Sequence, residues 1–186
     1  MLSFKILAPV ALAVLTFVAP RAGTGDTVVL VVRHAEKAGP SGDVPLSAAG
    51  EARAQALVAI GREAGVSAII TTQFQRTRQT AAPLATALGI TPEVIDVKGG
   101  VAEHVQGIAT AITSRFAGRT VLVVGHSNTV PAIVGALGGP KLPDLCDDMY
   151  DDLFTVVVSA EGKARLVHAK YGTPSTPGAA CAAMAR

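Results

Sequence analysis

The stretch Thr27–Lys37, TVVLVVRHAEK, decides the fold and raises the first chemical question. Its first six residues are β-branched or leucine, which is typical of a strand buried on both faces. The apolar run then stops at once, and Arg33, His34, Glu36 and Lys37 follow. A buried strand has no structural need for such an ending, so these residues indicate a chemical role at its carboxyl end.

Further apolar strands alternate with helical segments along the chain. The predicted strands are Thr27–Val32, Val66–Thr71, Pro92–Val97 and Thr120–Val124. The predicted helices run from the N-cap Ser47 to Glu63 and over Gln75–Leu88, Val101–Phe116 and Val130–Leu137. Leu153–Val158 and Lys163–Lys170 flank a turn and predict an antiparallel hairpin. We therefore expect an α/β fold, a three-layer α/β/α sandwich whose mostly parallel central sheet carries an antiparallel C-terminal hairpin at its edge.

Composition limits the classes of protein to which the chain can belong. Of its 186 residues 49% are apolar and 16% are charged, which argues against disorder and fits one folded domain. The formal net charge of +2 is too small to predict a nucleic-acid partner. Neither the natural substrate nor the oligomeric state can be predicted from the sequence.

The first residues have the layout of a secretory signal peptide. Lys5 precedes the apolar run Ile6–Ala19, and Ala22 is a possible last residue of the signal. The run is shorter than the roughly 20 residues that span a bilayer, so we expect no membrane span after signal removal. We predict a signal peptide over residues 1–22, a domain over residues 23–186, and a periplasmic or secreted protein. An uncleaved anchor is the alternative.

The two cysteines of the chain, Cys146 and Cys181, also bear on whether the protein is exported. An even number of cysteines in an exported protein fits one disulfide. The alternative is two separate thiols, and neither spacing nor neighbours indicate a metal site.

Ligands of parallel sheets collect at the carboxyl ends of the strands, and there the sequence places a recurring set of side chains. Arg33 and His34 follow the first strand, Arg76 follows the second, and His126 follows the strand Thr120–Val124. Paired guanidinium groups and helix N-termini bind phosphate. A neutral imidazole between them is a competent nucleophile towards phosphorus. We therefore predict a site for a small phosphorylated substrate.

Three motifs at these strand ends resemble the histidine phosphatase superfamily (phosphoglycerate mutase-like). They are Arg33–Lys37, Arg76–Ala81 and Gly125–Ser127, and the resemblance runs over Thr27–Tyr171. It implies a phosphatase that hydrolyses phosphomonoesters through a phosphohistidine on His34. It implies no metal and no other cofactor.

By this resemblance Arg33, Arg76 and His126 would hold the phosphoryl oxygens. Small members often use a glutamate after the third strand as the general acid, which makes Glu103 the candidate here. His104 stays open as an alternative, as do the aspartates of the C-terminal loop, Asp147, Asp148, Asp151 and Asp152.

Lys37, Ser127 and Asn128 are predicted to bind substrate. Solvated surface charge for Lys37, and capping of the next helix for Ser127 and Asn128, are the alternatives. Glu36 is expected to orient groups of its loop, and His168 is expected to be structural.

Two other functions compete with the phosphatase. A phosphate-ester binding module would keep the anion site and lack turnover. A serine esterase would use Ser127 within the elbow-like stretch Gly125–Thr129, with Asp148 and His168 following in order, but it would leave the arginines without a role.

Overall fold

The computed structural model describes residues 25–178 and residue 181. The predicted signal peptide lies outside these residues, so the signal and the domain boundary after it stay predictions. Within the described part of the chain, no helix combines the length and apolar character that crossing a membrane requires.

The described residues form six strands and four helices. The strands are β1 Thr27–Arg33, β2 Ala68–Thr71, β3 Glu93–Val94, β4 Thr120–Gly125, β5 Asp152–Val158 and β6 Ala164–Lys170. The helices are α1 Ala48–Glu63, α2 Gln75–Leu88, α3 Val101–Ser114 and α4 Thr129–Ala136. One sheet of order β3-β2-β4-β1-β5-β6 results, with β1 to β4 mutually parallel and β5 and β6 antiparallel. The predicted fold, including the edge hairpin, is confirmed.

The alternation of side chains in β1 builds the two cores. Val29 and Val31 point to the layer that contains α3 and α4, while Leu30 and Val32 point to the layer that contains α1 and α2. All four are at most 4% exposed. A strand with both faces buried needs apolar residues at every position, which explains the continuous run in the sequence.

The third strand is shorter than predicted. Only Glu93 and Val94 pair with β2, whereas the sequence predicted Pro92–Val97. Beyond them the backbone N–H of Val97 donates to the side-chain Oε1 of Gln73, at 2.9 Å, instead of to a neighbouring strand. After two ladder pairs, the side chain of Gln73 therefore accepts a backbone hydrogen bond in place of a neighbouring strand.

Local signals set the helix ends. The Ser47 hydroxyl accepts from the N–H of Gly50 at 3.2 Å, as an N-cap does, and Gly89 ends α2 in the left-handed conformation, with φ 64°. A Cβ at Gly50 would overlap the carbonyl oxygen of Glu36. Glycine at this position therefore lets α1 pack closely on the loop that follows β1.

Candidate active site

The strand rim, which we define as the carboxyl ends of β1, β2 and β4, brings the two motif histidines together. Arg33 pairs in register with Gly125, so the next residue of each strand is a histidine. The His34 N–H donates to the Gly125 carbonyl at 2.9 Å, and the ring centroids of His34 and His126 are 5.4 Å apart. Residues 92 positions apart in the chain thus become neighbours through one step of the backbone ladder.

His34 is held as a neutral imidazole with one free nitrogen. It is 4% exposed, and its Nδ1–H donates to the carbonyl oxygen of Ala35 at 2.8 Å. Burial, aided by the charges of Arg33 and Arg76, lowers the pKa of His34 to about 3. At neutral pH the Nε2 lone pair is therefore available, and it has no hydrogen-bond partner among the described residues.

Carbonyl groups of a loop that is distant in sequence orient the Arg33 guanidinium. Its Nη1 donates to the backbone oxygens of Cys146, Asp147 and Met149 at 2.7, 3.0 and 3.1 Å. The guanidinium lies 4.2 Å from the ring centroid of Tyr150. We call Cys146–Tyr150 the carbonyl loop. It occupies one edge of the guanidinium and leaves the buried Nε–H without a partner in the described chain.

Arg76 occupies the first turn of α2, beside His126. Its Nη2 lies 3.4 Å from His126 Nδ1, and its guanidinium packs 4.3 Å from the ring centroid of Phe74. Asp43 lies 3.9 Å from Nη1 and also accepts from the N–H of Gln75 at 2.8 Å. The sequence offered no signal for Asp43, because a Gly- and Pro-rich loop carries it to the helix.

His126 is neutral and bonded on both nitrogens. Because Nδ1 accepts from Arg76, Nε2 carries the proton and donates to the Thr72 hydroxyl at 3.2 Å. Burial, followed by Arg76, His104 and Arg33, lowers the pKa of His126 to about 3. The rim therefore holds two neutral imidazoles between two cations.

This arrangement fits an anion that has several oxygens. The Nε–H groups of Arg33 and Arg76 are both buried without a partner among the residues described. Buried donors are normally satisfied, and a phosphoryl group presents enough oxygens to accept from both guanidinium groups at once.

The structure places the two neighbouring candidates for the general acid differently. Glu103 is exposed in the first turn of α3, and its carboxylate lies against Gly99. No hydrogen bond in the described part of the chain joins it to the rim residues. His104 is 2% exposed, its Nδ1 donates to the Asp96 carbonyl at 3.2 Å, and its Nε2 is buried without a partner there. Burial lowers the pKa of His104, so it too is neutral.

The predicted substrate-binding residues lie around the mouth of the site. Lys37 lines a cavity of about 390 Å³ together with Arg33, and its Nζ donates to the Pro40 carbonyl at 3.0 Å. Ser127 lines a neighbouring cavity of about 650 Å³. Asn128 is exposed at the N-cap of α4, where its side chain makes no capping bond. Their contact with substrate stays a prediction.

A buried ion pair that the sequence analysis did not identify supports the loop that follows β1. Arg53, 4% exposed, donates to both carboxylate oxygens of Glu36 at 2.7 to 3.0 Å. It also donates to the carbonyls of Tyr171 and Thr173 at 2.9 and 2.8 Å. The available signal was a charged residue within the apolar face of α1, next to Ala54 and near Leu57.

A disulfide joins Cys146 to Cys181, with 5.6 Å between the Cα atoms. It anchors the carbonyl loop, which is tied to the C-terminal tail again where the Tyr150 N–H donates to the Ser175 hydroxyl at 3.0 Å. Among the described residues, the one group with metal-ligand side chains is Cys146, Asp148 and Cys181, and its two sulfurs are bonded to each other.

The geometry opposes the serine esterase. His168 lies on β6, three strands away from β4, after which Ser127 follows. At about 4.8 Å per strand, roughly 14 Å separate their positions in the sheet. His168 stacks on Phe154 and contacts Asp152 at 2.7 Å, which fits the structural role expected for it.

Comparison with known proteins agrees with the fold and the motifs. Residues 29–97 match the family described as histidine phosphatase superfamily (branch 1). No curated protein matches the chain in sequence.

Three solved structures illustrate the similarity, each with a TM-score of 0.61. The protein histidine phosphatase SixA, complexed with tungstate, is 22% identical, over 77% of this chain and 96% of that one. Mycobacterial hydrolase 2 is 16% identical, over 87% and 97%. Mycobacterial glucosyl-3-phosphoglycerate phosphatase is 16% identical, over 78% and 99%. At these identities the structures show the fold, and the match over residues 29–97 supports the superfamily.

Proposed function

We propose that this chain is an exported histidine phosphatase, which hydrolyses phosphomonoesters through a phosphohistidine on His34. The observation that carries the proposal is the state of His34. Its Nδ1 is tied to Ala35, and its free Nε2 belongs to a neutral ring that lies beside two guanidinium groups. This is the arrangement that a nucleophile towards an anionic phosphorus centre requires.

The reaction has two steps. The Nε2 lone pair of His34 attacks phosphorus as the P–O bond to the leaving group breaks, while Arg33 and Arg76 hold the equatorial oxygens and neutralise their charge. His126 would donate to another of these oxygens its Nε2–H, which the Thr72 hydroxyl accepts in the free site. A water molecule then attacks the phosphohistidine, which releases phosphate and restores the imidazole. The charges that stabilise the transition state come from side chains, so we propose turnover without a metal.

Export is part of the proposal. The apolar run Ile6–Ala19 after Lys5 supports a signal peptide. The disulfide between Cys146 and Cys181 also supports it, because disulfides persist in oxidising compartments such as the periplasm.

The decisive test is phosphate release from p-nitrophenyl phosphate by the purified mature chain. We expect turnover that survives EDTA, is inhibited by vanadate and is lost in His34→Ala. His168→Ala is the matched control, because this histidine lies on the far edge of the sheet, and it should retain activity. Acid-labile and alkali-stable labelling by a ³²P-phosphomonoester should occur in the wild-type chain and be absent from His34→Ala.

Other outcomes would replace the proposal. Binding of phosphate or vanadate without any release of phosphate at any pH would favour the binding module. Activity that EDTA abolishes and zinc or magnesium restores would contradict the metal-independent route. Unchanged turnover in His34→Ala would remove the phosphohistidine.

A further inference from the structure

We propose that Tyr150 is the general acid of this site, with its phenol donating the proton to the leaving oxygen. The inference rests on the proposed phosphatase function and deepens it. The three sequence motifs supply a nucleophile and groups that hold phosphate, but no proton donor. The inference assigns this role to a residue of the carbonyl loop.

Tyr150 stands next to both of the residues that would act first. Its ring centroid lies 4.2 Å from the Arg33 guanidinium carbon and 6.2 Å from the His34 ring centroid. The two rings are tilted by 54° and lie within the range of aromatic contact, so Tyr150 flanks the His34 ring. The other tyrosine of the chain, Tyr171, is 4% exposed and packs near Arg53 instead.

Tyr150 also borders the space into which a leaving group would depart. It lines both cavities at the mouth of the site, the one shared with Lys37 and Arg33 and the one shared with Ser127. A proton donor to the departing oxygen is needed between the reacting phosphorus and the open cavities, and Tyr150 borders these cavities.

The Arg33 guanidinium lies over the face of the Tyr150 ring, with 4.2 Å between its carbon and the ring centroid. A cation held against the ring would stabilise the negative charge that the phenol oxygen gains when its proton moves to the leaving group.

Three of the other candidates fit the role less well. Glu103 makes no hydrogen bond to the rim within the described chain and lies against Gly99. The Asp147 carboxylate is 3.7 Å from Arg33, but its side chain is fully exposed rather than packed in the site. His104 is buried and neutral, so it has no proton to spare beyond the one that it donates to Asp96.

The proton and electron balance of the step is simple. As His34 Nε2 forms its bond to phosphorus, the P–O bond to the leaving group breaks, and its electron pair takes the proton of Tyr150. In the second step the phenolate takes a proton from water, whose oxygen attacks phosphorus. The N–P electron pair returns to His34, so an alcohol and phosphate leave an unchanged enzyme.

Two substrates that differ in leaving group test the assignment. Glycerol phosphate must expel a basic alkoxide, whereas p-nitrophenyl phosphate expels a stable phenolate that needs little protonation. We expect Tyr150→Phe, which keeps the ring against Arg33, to lower kcat/KM for glycerol phosphate about 100-fold or more. For p-nitrophenyl phosphate we expect a loss below about 10-fold. Vanadate inhibition of the same variant checks that the Arg33 site is intact.

A second variant of Tyr150 and a variant of the rival candidate Glu103 separate the possible outcomes. Tyr150→Leu also removes the ring and should impair both substrates. Equal losses on both substrates in Tyr150→Phe would overturn the proposal, and so would a glycerol phosphate-selective loss in Glu103→Gln. If the wild-type chain released phosphate from neither substrate, the phosphatase function itself would fail. Substrate-independent losses in an enzyme that still depends on His34 would overturn the acid assignment alone.

Discussion

The two sides of the candidate active site are built in different ways. The strand rim is positioned by backbone ladders, as the register of Arg33 with Gly125 shows. The carbonyl loop is positioned by a disulfide and by hydrogen bonds between residues 25 to 114 or more positions apart in the chain. Arg33 belongs to both sides, because its backbone lies in β1 and its guanidinium donates hydrogen bonds to the carbonyl groups of the loop. The position of His34 thus depends on the sheet, and the orientation of the Arg33 guanidinium depends on the C-terminal segment.

The largest effect is expected where the two sides meet. Arg33→Lys removes the planar fork that reaches both the loop carbonyls and the substrate, and a lysine offers only a point charge. We expect kcat/KM for p-nitrophenyl phosphate to fall about 100- to 1,000-fold, the usual cost of losing one stabilising donor. Arg62→Lys, at an exposed position of α1, is the matched control and should retain wild-type kinetics. A similar value in both variants would show that Arg33 does not hold phosphate.

Removal of the disulfide tests the contribution of the carbonyl loop by itself. The double variant Cys146→Ser with Cys181→Ser opens a link between residues 35 positions apart, so the free energy of unfolding should fall by about 4 kcal/mol. Chemical denaturation measures this loss. Vanadate inhibition should also weaken, because the carbonyls that aim Arg33 lose their anchor. Unchanged vanadate affinity alongside the lower stability would separate the loop from the phosphate site.

The smallest effect concerns the rim and appears as a pH dependence of stability. The pKa of His34 is about 3 in the folded chain and near 6.5 in an unfolded one. Below pH 6.5 the unfolded chain therefore binds more protons, and the free energy of unfolding falls as the pH falls. Between pH 6.5 and 5 the loss should be on the order of 1–2 kcal/mol for this histidine.

Urea denaturation at pH 7, 6 and 5 measures the slope. His34→Asn should reduce it, because the substituted side chain does not titrate. His168→Asn is the control, since His168 is half exposed at the edge strand, and it should leave the slope close to that of the wild-type chain. An identical slope in His34→Asn would mean that the pKa of His34 does not differ between the folded and unfolded chains.

Much of the fold was predictable because short-range signals specify it. The continuous apolar run in β1 reported burial on both faces, and Ser47 and Gly89 marked helix ends through contacts within a few residues. The prediction for β3 was wrong in length, because Gln73 replaces the ladder after two pairs, and a side-chain acceptor leaves no periodic trace in sequence.

The convergence of the four candidate site residues was predictable to the same extent. The amino-acid sequence by itself determined that Arg33, His34, Arg76 and His126 come together at the rim, since parallel strands must end at one edge and the three motifs follow those strands. Only the tertiary structure decided that Tyr150 lies beside Arg33, that Arg53 joins Glu36 to the C-terminal tail, and that the Glu103 carboxylate lies beside Gly99. Contacts such as those of Arg33 with Cys146 and of Arg53 with Tyr171 join residues 113 and 118 positions apart. Such contacts depend on the order of all six strands, which no local pattern encodes.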